Sequence, residues 1–421
     1  MDVRDGHWQR LVIGVVGSSR IASNALFGTV IAIYIGRVAS PFAVGLAMTA
    51  FYLGQLLFAP VWGAIADITG RRRLVLFVTS LLGGLSLVPL MLTQSVAAQI
   101  GGRFLYAVFF AAFGSIMLTI VSERVDTKDR GRSVGFYNST LAFGSIVGKA
   151  TSGFLLAQLA PRVMFGLLAG ISTVSALAVV FLVDPTPTPS ETTTVGELLA
   201  ETRHRLFPAI DEREHLTSHG LQWLYVATVL RNVTNKGLGG LYPIFLTATL
   251  GANEVTMGLL LALSPTLRTV LMYLVGGVAD KIGRKPLIVV GILGAGLQAL
   301  AMAAATVPSA LPFRIGLAGL GFLIHAVSFS ALATGAIAFI GDVAPQERES
   351  ELMGLRTTSR GVGGVTGPLI VGGLATVIGY RLTFFAASFL PFLGAAVVAV
   401  KLVESNVTDH AFPWDIVRSA D

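Results

Sequence analysis

Two copies of an Arg-x-x-x-Asn pattern lie inside apolar segments of the chain. Arg20 and Asn24 share one face of the first segment because their spacing is close to one helical turn. Arg231 and Asn235 repeat the arrangement 211 positions later. A guanidinium can hold two oxygens of a phosphate, sulfonate or carboxylate at once, and an asparagine can complete the hydrogen bonds. We therefore interpret these four residues as anion ligands that face a shared cavity.

Other basic residues lie within the apolar segments, whereas the acidic residues lie in loops, tails or segment ends. A charge at the centre of a bilayer costs about 2.5–3.5 kcal/mol, so water, backbone carbonyls or an anionic ligand must offset it. We predict that Gln55, which aligns with Arg268 in the repeat, faces the same cavity. Alternatively, Arg20 and Arg231 bond backbone carbonyls between helices, Arg356 reaches the aqueous boundary, and water solvates Lys236. The eight basic residues inside predicted helices are Arg20, Arg103, Lys149, Arg231, Lys236, Arg268, Arg356 and Arg360. Of these eight, we predict that Lys149, Lys236, Arg268 and Arg360 help Arg20 and Arg231 to bind the anion.

His325 is the only histidine within a predicted helix. Its ordinary pKa lies near neutrality, which makes it a candidate proton carrier. The alternative is a structural hydrogen bond to Ser328 or to a neighbouring helix. No Asp or Glu lies at mid-helix, which argues against proton-coupled efflux of cations.

Composition indicates the elements that must position these residues. Of 421 residues, 53% are hydrophobic and 13% are charged, whereas soluble domains carry about 25% charged residues. Apolar runs of about 20 residues are long enough to cross a membrane as helices. We therefore predict an all-α membrane protein with twelve transmembrane helices. Their approximate spans are 11–36, 41–66, 74–93, 97–121, 134–159, 163–183, 220–249, 255–279, 287–307, 314–340, 353–377 and 382–403.

A polar stretch divides the twelve runs into six and six. It begins at Asp184 with a proline-rich sequence that cannot continue a helix. It also contains a predicted short amphipathic helix, Val195–Ala200. The predicted domains are an N-terminal bundle (1–183), a cytoplasmic linker (184–219), a C-terminal bundle (220–404) and a cytoplasmic tail (405–421).

The net charge of +7 reflects membrane orientation rather than nucleic-acid binding. With both termini on one side, eighteen basic residues fall on that side, and only Arg37, Arg162, Arg314 and Arg381 fall on the other. Basic residues concentrate in cytoplasmic loops, so both termini are predicted to be cytoplasmic in a plasma or inner membrane. The expected partners are the lipid bilayer and a small anionic solute, with a monomeric chain. The sequence has no cysteine, and we predict no metal, no cofactor and no nucleic acid.

The two halves repeat a short loop pattern. Gly63-x-x-x-Asp67-x-x-Gly70-Arg71-Arg72 follows the second run, and Gly276-x-x-x-Asp280-x-x-Gly283-Arg284-Lys285 follows the eighth. Each aspartate can pair with a nearby arginine or accept backbone hydrogen bonds, which suits a conformational latch. Parallel repeats of this kind place a binding site at their interface.

With this loop, the chain resembles the major facilitator superfamily, although Ile68 stands where that family usually has a basic residue. The resemblance covers nearly the whole chain and implies two pseudo-symmetric six-helix bundles that give alternating access to a central site. Arg103 and Arg314 match the arginine of a second family pattern. These two arginines either have a structural or gating role or take part directly in coupling. Gly363-x-x-x-Gly367-Pro368 resembles an antiporter pattern, but its first-half counterpart has Lys149 at the proline position.

The arginine pair also resembles the phosphate-binding pair of organophosphate:phosphate antiporters, on the first and seventh helices. We predict a secondary active transporter, by exchange or proton coupling, for an anionic organic solute, including a phosphorylated one or an amphiphile with an anionic head. The alternatives are a multidrug or lipid exporter of the same superfamily and a non-transporting receptor or scaffold. An enzyme is not predicted, because no nucleophile and base stand together in the sequence.

Overall fold

The computed structural model describes residues 3–93, 95–125, 129–185, 196, 218–345 and 348–405. The predicted surface helix at 195–200 lies outside the described residues except for Gly196. The predicted tail also lies outside them, apart from Ser405. The side chain of Asp280 is likewise not described.

Almost all of the described residues are helical, and none of them forms a strand. The last helical element, Glu349–Lys401, is interrupted at Gly379, whose φ of 75° divides it into α11 (349–378) and α12 (380–401). The preceding helices are α1 (Val3–Val38), α2 (Pro41–Thr69), α3 (Arg72–Leu85), α4 (Val96–Glu123), α5 (Arg130–Gln158), α6 (Pro161–Val179), α7 (Leu221–Ile244), α8 (Glu254–Ile282), α9 (Arg284–Ala304) and α10 (Leu311–Val343).

Ten helical stretches in the described part of the chain are long and apolar enough to cross a membrane. The tenth, Glu351–Lys401, contains both α11 and α12. Helix α7 is not among the ten, and its centre carries Arg231, Asn235 and Lys236. The chain is therefore a multi-pass membrane protein whose α7 carries two cations and an amide at its centre.

Glycines with positive φ end the helices of the repeated loop. Gly70 has a φ of 60° and Gly283 a φ of 88°. Residues with a side chain rarely adopt this region, so glycine permits the sharp turn from α2 into α3 and from α8 into α9. At Gly283 a Cβ would also lie 2.6 Å from a carboxylate oxygen of Glu404.

The chain divides into two compact units, which are described separately. Unit 1 comprises Met1–Ala39 and Ala50–Ala209. In it, α1 packs against α5 and α6, and α3 packs against α4 and α6. Gly144 and Gly148 of α5 allow contact with the backbone of Ser18 and Ala22 in α1. This close approach fixes the rotation of α1 about its axis, and with it the direction in which Arg20 points.

Unit 2 comprises Ser40–Thr49 and Ile210–Asp421. In it, α7 packs against the element formed by α11 and α12, and α10 packs against α8 and α9. Gly363 and Gly367 of α11 lie against the backbone of α7 at Asn232 and Val233. The start of α2 also belongs to this unit, where the Thr49 hydroxyl donates to the Val365 carbonyl at 2.8 Å.

Candidate functional site

Three arginines of unit 2 line one open recess of about 330 Å³, a volume that includes space open to solvent. Helix α7 contributes Arg231, and α11 contributes Arg356 and Arg360 one turn apart. None of the lining residues in the described part of the chain is acidic. The other residues that line this arginine recess are Thr228, Asn232, Phe329, Leu332, Ala333 and Ala336.

A fourth arginine adjoins the recess. The guanidinium carbon of Arg268 in α8 lies 4.2 Å from the centre of the Phe329 ring. Its Nε is buried without a hydrogen-bond partner in the described residues. Arg231 is close enough to the other three arginines to interact with them electrostatically. Four positive charges without a carboxylate among the lining residues favour an anion in the recess.

Arg231 is held by a hydrogen-bonded chain. Its Nε donates to the Gly291 carbonyl of α9 at 3.3 Å. With the Asn235 amide oxygen turned toward the guanidinium, both terminal nitrogens of Arg231 donate to it at 3.1 Å. In that orientation Asn235 donates to Gln298 at 3.3 Å, and Gln298 donates to the Tyr242 hydroxyl at 2.8 Å. These bonds use three of the five N–H groups of Arg231, so two remain for a ligand.

Arg20 lies in a different environment within unit 1. Its side chain is completely buried, and none of its three nitrogens has a hydrogen-bond partner in the described residues. Its guanidinium carbon lies 5.3 Å from the Tyr106 ring centre and 5.2 Å from that of Phe110. The amide oxygen of Asn24 is also buried without a described partner. The repeated pattern therefore does not produce repeated contacts.

Arg103 and Arg314 also differ, although they are related by the repeat. Arg103 is buried in unit 1, with its guanidinium carbon 3.9 Å from the Phe51 ring centre and 4.7 Å from that of Phe27. Arg314 of unit 2 donates from Nε to the Pro308 carbonyl at 2.6 Å. Arg103 is thus an aromatic-packed cation, whereas Arg314 bonds the loop that precedes its helix.

The remaining predicted ligands do not line the arginine recess. Lys149 and Gln55 are half-buried on α5 and α2, in unit 1, and Lys236 is half-buried on α7. The His325 ring centre lies 6.3 Å from that of Phe329, on the same helix. The Ser328 hydroxyl donates to the Gly291 carbonyl at 2.6 Å.

In the first loop copy, Arg72 rather than Arg71 makes the ion pairs. Arg72 donates to Asp67 at 3.0 Å and also bonds Glu123 at the end of α4. Arg71 is exposed. Asp184, just after α6, accepts a hydrogen bond at 3.0 Å from the backbone N–H of Arg73. These contacts join the ends of four helices within unit 1.

In the second loop copy, a similar set of acids meets the start of α9. Arg284 pairs with Asp342 at 2.9 Å. Glu404, just after α12, accepts hydrogen bonds at 2.9 Å from the backbone N–H groups of Arg284 and Lys285. In each half, a cation or backbone N–H at the start of the third helix therefore meets acids at the ends of the fourth and sixth helices. Gly63 and Gly276 leave open space, since a Cβ would meet nothing closer than 3.9 Å.

Sequence reasoning missed two groups of residues. Thr228 and Asn232 line the recess one helical turn apart, and Arg356, which was not among the predicted anion ligands, lines it one turn before Arg360. Asp184 and Glu404 cap the latch, and their signal was an acid directly after the last helix of each half, 220 positions apart.

Comparisons with known proteins agree with this architecture. The sequence profile of the Major Facilitator Superfamily matches residues 13–230 and 224–413. The chain is 24% identical over 361 residues to the multi-drug resistance efflux pump PmrA of Streptococcus pneumoniae, covering 84% of each protein. It is 22% identical to the PmrA homolog of Lactococcus lactis, covering 82% of this chain and 81% of that protein.

A solved structure shows the same fold. The inward-facing, occupied form of a bacterial homolog of the human lysosomal transporter Spinster superposes with a TM-score of 0.75. The match covers 99% of both chains at 14% sequence identity. The predicted all-α fold of two six-helix bundles is therefore confirmed.

Proposed function

This chain belongs to the major facilitator superfamily of membrane transporters, and we propose that it exports amphiphilic organic solutes that carry an acidic group. Its family also confirms the prediction that the chain is not an enzyme. The names of the two relatives as efflux pumps support export as the direction. A plasma or inner membrane with cytoplasmic termini remains our proposal for its location, from the distribution of basic residues.

The arginine recess is the observation that carries the proposal. Arg231, Arg356 and Arg360 line it and Arg268 adjoins it, without an acidic residue among the lining residues. The residues that α10 contributes to the recess are apolar and include Phe329 and Leu332. The chemistry of these residues is complementary to a solute with an acidic head and an apolar body, because the head gains charge-assisted hydrogen bonds and the body gains apolar contacts.

In the proposed mechanism, Arg231 is the fixed anchor. Its bonds to Asn235 and Gly291 hold the guanidinium plane, and its two remaining N–H groups bind the acidic head. Arg356 and Arg360 approach from α11 and add positive charge. Arg20 stays a predicted ligand of unit 1, where it is enclosed by aromatic rings. Transport is coupled either to exchange of a second solute or to protons, with His325 as the candidate proton carrier, and both modes remain proposals.

The test is solute binding and transport by purified protein with one arginine removed at a time. We expect Arg231→Gln, Arg268→Gln and Arg360→Gln each to weaken the binding of acidic amphiphiles by about 10- to 100-fold, the range of one lost charge-assisted hydrogen bond. Arg381→Gln, an exposed arginine of the same unit, is the matched control and should bind normally. Equal binding by all four variants would remove the basis of the proposal.

A multidrug exporter without a charge requirement is the second candidate. The efflux pumps among the relatives favour it. It predicts that neutral and cationic amphiphiles are transported as well as acidic ones, and that the same arginine variants leave their transport unchanged. A side-by-side uptake assay in proteoliposomes with matched acidic, neutral and cationic dyes distinguishes the two candidates.

A further inference from the structure

A second basic recess lies in unit 1. It opens where α1 begins, α4 ends and α5 begins, and it encloses about 1170 Å³ including space open to solvent. We call it the helix-end recess. Its lining residues are Arg10, Ile13, Arg124, Val125, Asp129, Arg132, Ser133 and Phe136.

Positive charge exceeds negative charge in this recess. Arg10, Arg124 and Arg132 line it, against Asp129 as the acid among its lining residues. Arg10, Arg132 and Asp129 are exposed, so water screens the charges of all three side chains. The net excess of two positive charges is available to an anion that bridges the arginines.

Arg124 is the least hydrated of the three arginines. It is half-buried, and its Nη1 donates to the neutral side chain of Gln9 at 3.2 Å. The same oxygen of Gln9 also accepts a hydrogen bond from the Val183 N–H at 3.0 Å. Burial lowers the pKa of Arg124, because partial dehydration disfavours the charged form. A bound anion would favour the charged form again.

The start of α5 adds uncapped backbone donors. Asp129 occupies the N-cap position, but its side chain makes no capping hydrogen bond within the described residues. The first N–H groups of a helix have no partner inside the helix, and they carry its positive dipole end. Together with guanidinium groups, such a helix start is well suited to the oxygens of a phosphate.

The position of the recess points to the membrane boundary. It is built from three helix ends, and its apolar wall includes Phe136, which is 39% exposed. Trp8 and Leu11 of α1 are also exposed nearby in the chain. In the predicted orientation this side is cytoplasmic, where anionic lipids attract basic residues, and basic pockets between helices bind phosphate-bearing lipid head groups.

We propose that the helix-end recess binds the phosphate of an anionic phospholipid through Arg10, Arg124 and Arg132. This site shares no lining residue with the arginine recess and does not depend on what is transported. The shared chemistry is a phosphate diester or monoester held by arginines and the start of α5. An acyl-chain lipid is favoured over a free phosphate because apolar side chains border the arginines.

The experiment measures the melting temperature of the purified full-length protein in detergent during lipid titration. Phosphatidylglycerol and cardiolipin should raise it at concentrations at least about 10-fold lower than phosphatidylcholine does. Arg124→Gln should abolish this preference, and Arg10→Gln, at an exposed position that tolerates change, should weaken it about 10-fold. Arg73→Gln, an exposed basic residue at a neighbouring helix start, should keep it.

Two further measurements test whether the arginines carry the lipid preference and whether the ligand is a lipid or a soluble phosphate. Asp129→Asn removes the acid from the lining and should strengthen the preference for anionic lipid. Inorganic phosphate and glycerol phosphate should stabilise the protein only weakly. Arginine-dependent stabilisation by these soluble probes equal to that by the lipid would overturn the lipid assignment. A lipid preference that survives in Arg10→Gln and Arg124→Gln would overturn the site itself.

Discussion

A buried guanidinium is stable only when its N–H groups find acceptors or compensating charge. Arg231 has such acceptors, since Asn235 and Gly291 take three of its N–H groups. Arg20 has aromatic rings beside it but no hydrogen-bond acceptor among the described residues. Cation–π contact contributes about 0.5–2 kcal/mol, which is less than the cost of dehydrating the ion. The two arginines should therefore respond differently to the same substitution.

We expect Arg231→Met to lower the free energy of unfolding by about 1–3 kcal/mol, because it leaves the Asn235 and Gly291 oxygens buried without donors. Arg20→Met should leave that free energy unchanged or raise it, because an apolar chain of similar length replaces an uncompensated buried cation. Thermal unfolding in detergent, with both variants compared to the unmodified protein, measures the difference. A similar loss of stability in both variants would show that Arg20 has acceptors equivalent to those of Arg231.

At the scale of elements, the same helix crossing occurs in both halves. Gly144 and Gly148 of α5 face the backbone of α1, and Gly363 and Gly367 of α11 face the backbone of α7. The two pairs are related by the same offset of 219 positions. Small residues allow membrane helices to approach closely, where dispersion and backbone contacts replace the hydrophobic effect as the driving force. These crossings position α1 and α7, which carry Arg20 and Arg231.

Substitution of these glycines should destabilise each crossing. A Cβ at Gly148 would lie 2.5 Å from the Ala22 carbonyl oxygen, and one at Gly367 would overlap the Val233 carbonyl. Gly148→Ala and Gly367→Ala are each expected to lower the free energy of unfolding by about 1–3 kcal/mol, the usual cost of overpacking. Thermal unfolding of the purified variants measures this loss.

The same two helices provide the controls. At Gly135 of α5 and Gly354 of α11, an added Cβ would have no neighbouring atom within 4 Å. Gly135→Ala and Gly354→Ala should therefore be neutral or slightly stabilising, because alanine favours the helix. If the control substitutions destabilised the protein as much as the others, the close crossings would not explain the effect.

At the scale of the whole molecule, the sequence predicted the architecture better than the site. The twelve apolar runs and the repeated loop were sufficient to predict the fold. Apolar segments long enough to cross a bilayer have few alternatives to the helix, because backbone polar groups must be hydrogen-bonded within the segment. The apolar runs also pointed to Arg231 and Arg360, which line the arginine recess, and to Arg268, which adjoins it, since charged residues stand out in apolar segments. The role of these arginines as ligands stays a prediction. Periodicity gives the face of a helix but not the neighbour on that face. It therefore could not distinguish the bonded Arg231 from the aromatic-packed Arg20.

Contacts that join distant helix ends could also not be predicted from the sequence. Glu404 bonds the start of α9, about 120 positions earlier, and a lone acid after a helix has no pattern that names its partner. The repeated loop indicated that Asp67 pairs with a nearby arginine but did not say which one, and the structure gives the ion pairs to Arg72, whose side chain is buried beside Glu123. One position in a loop is enough to change the partner, because adjacent side chains point in different directions.

The orientation of the chain in the membrane is the broadest prediction, and the native sequence is well suited to test it because it contains no cysteine. Ser95 and Ser309 are exposed just before α4 and α10, on the side predicted to be outside. Gly131 and Lys281 are exposed on the side predicted to be cytoplasmic.

Single cysteines at these four positions should react with a membrane-impermeant maleimide in intact cells only at 95 and 309. Cysteines at 131 and 281 should react only in inverted vesicles, since eighteen basic residues on that side resist translocation. The opposite labelling pattern would invert the topology and place the helix-end recess on the outer face, where the argument from a negative cytoplasmic leaflet no longer applies.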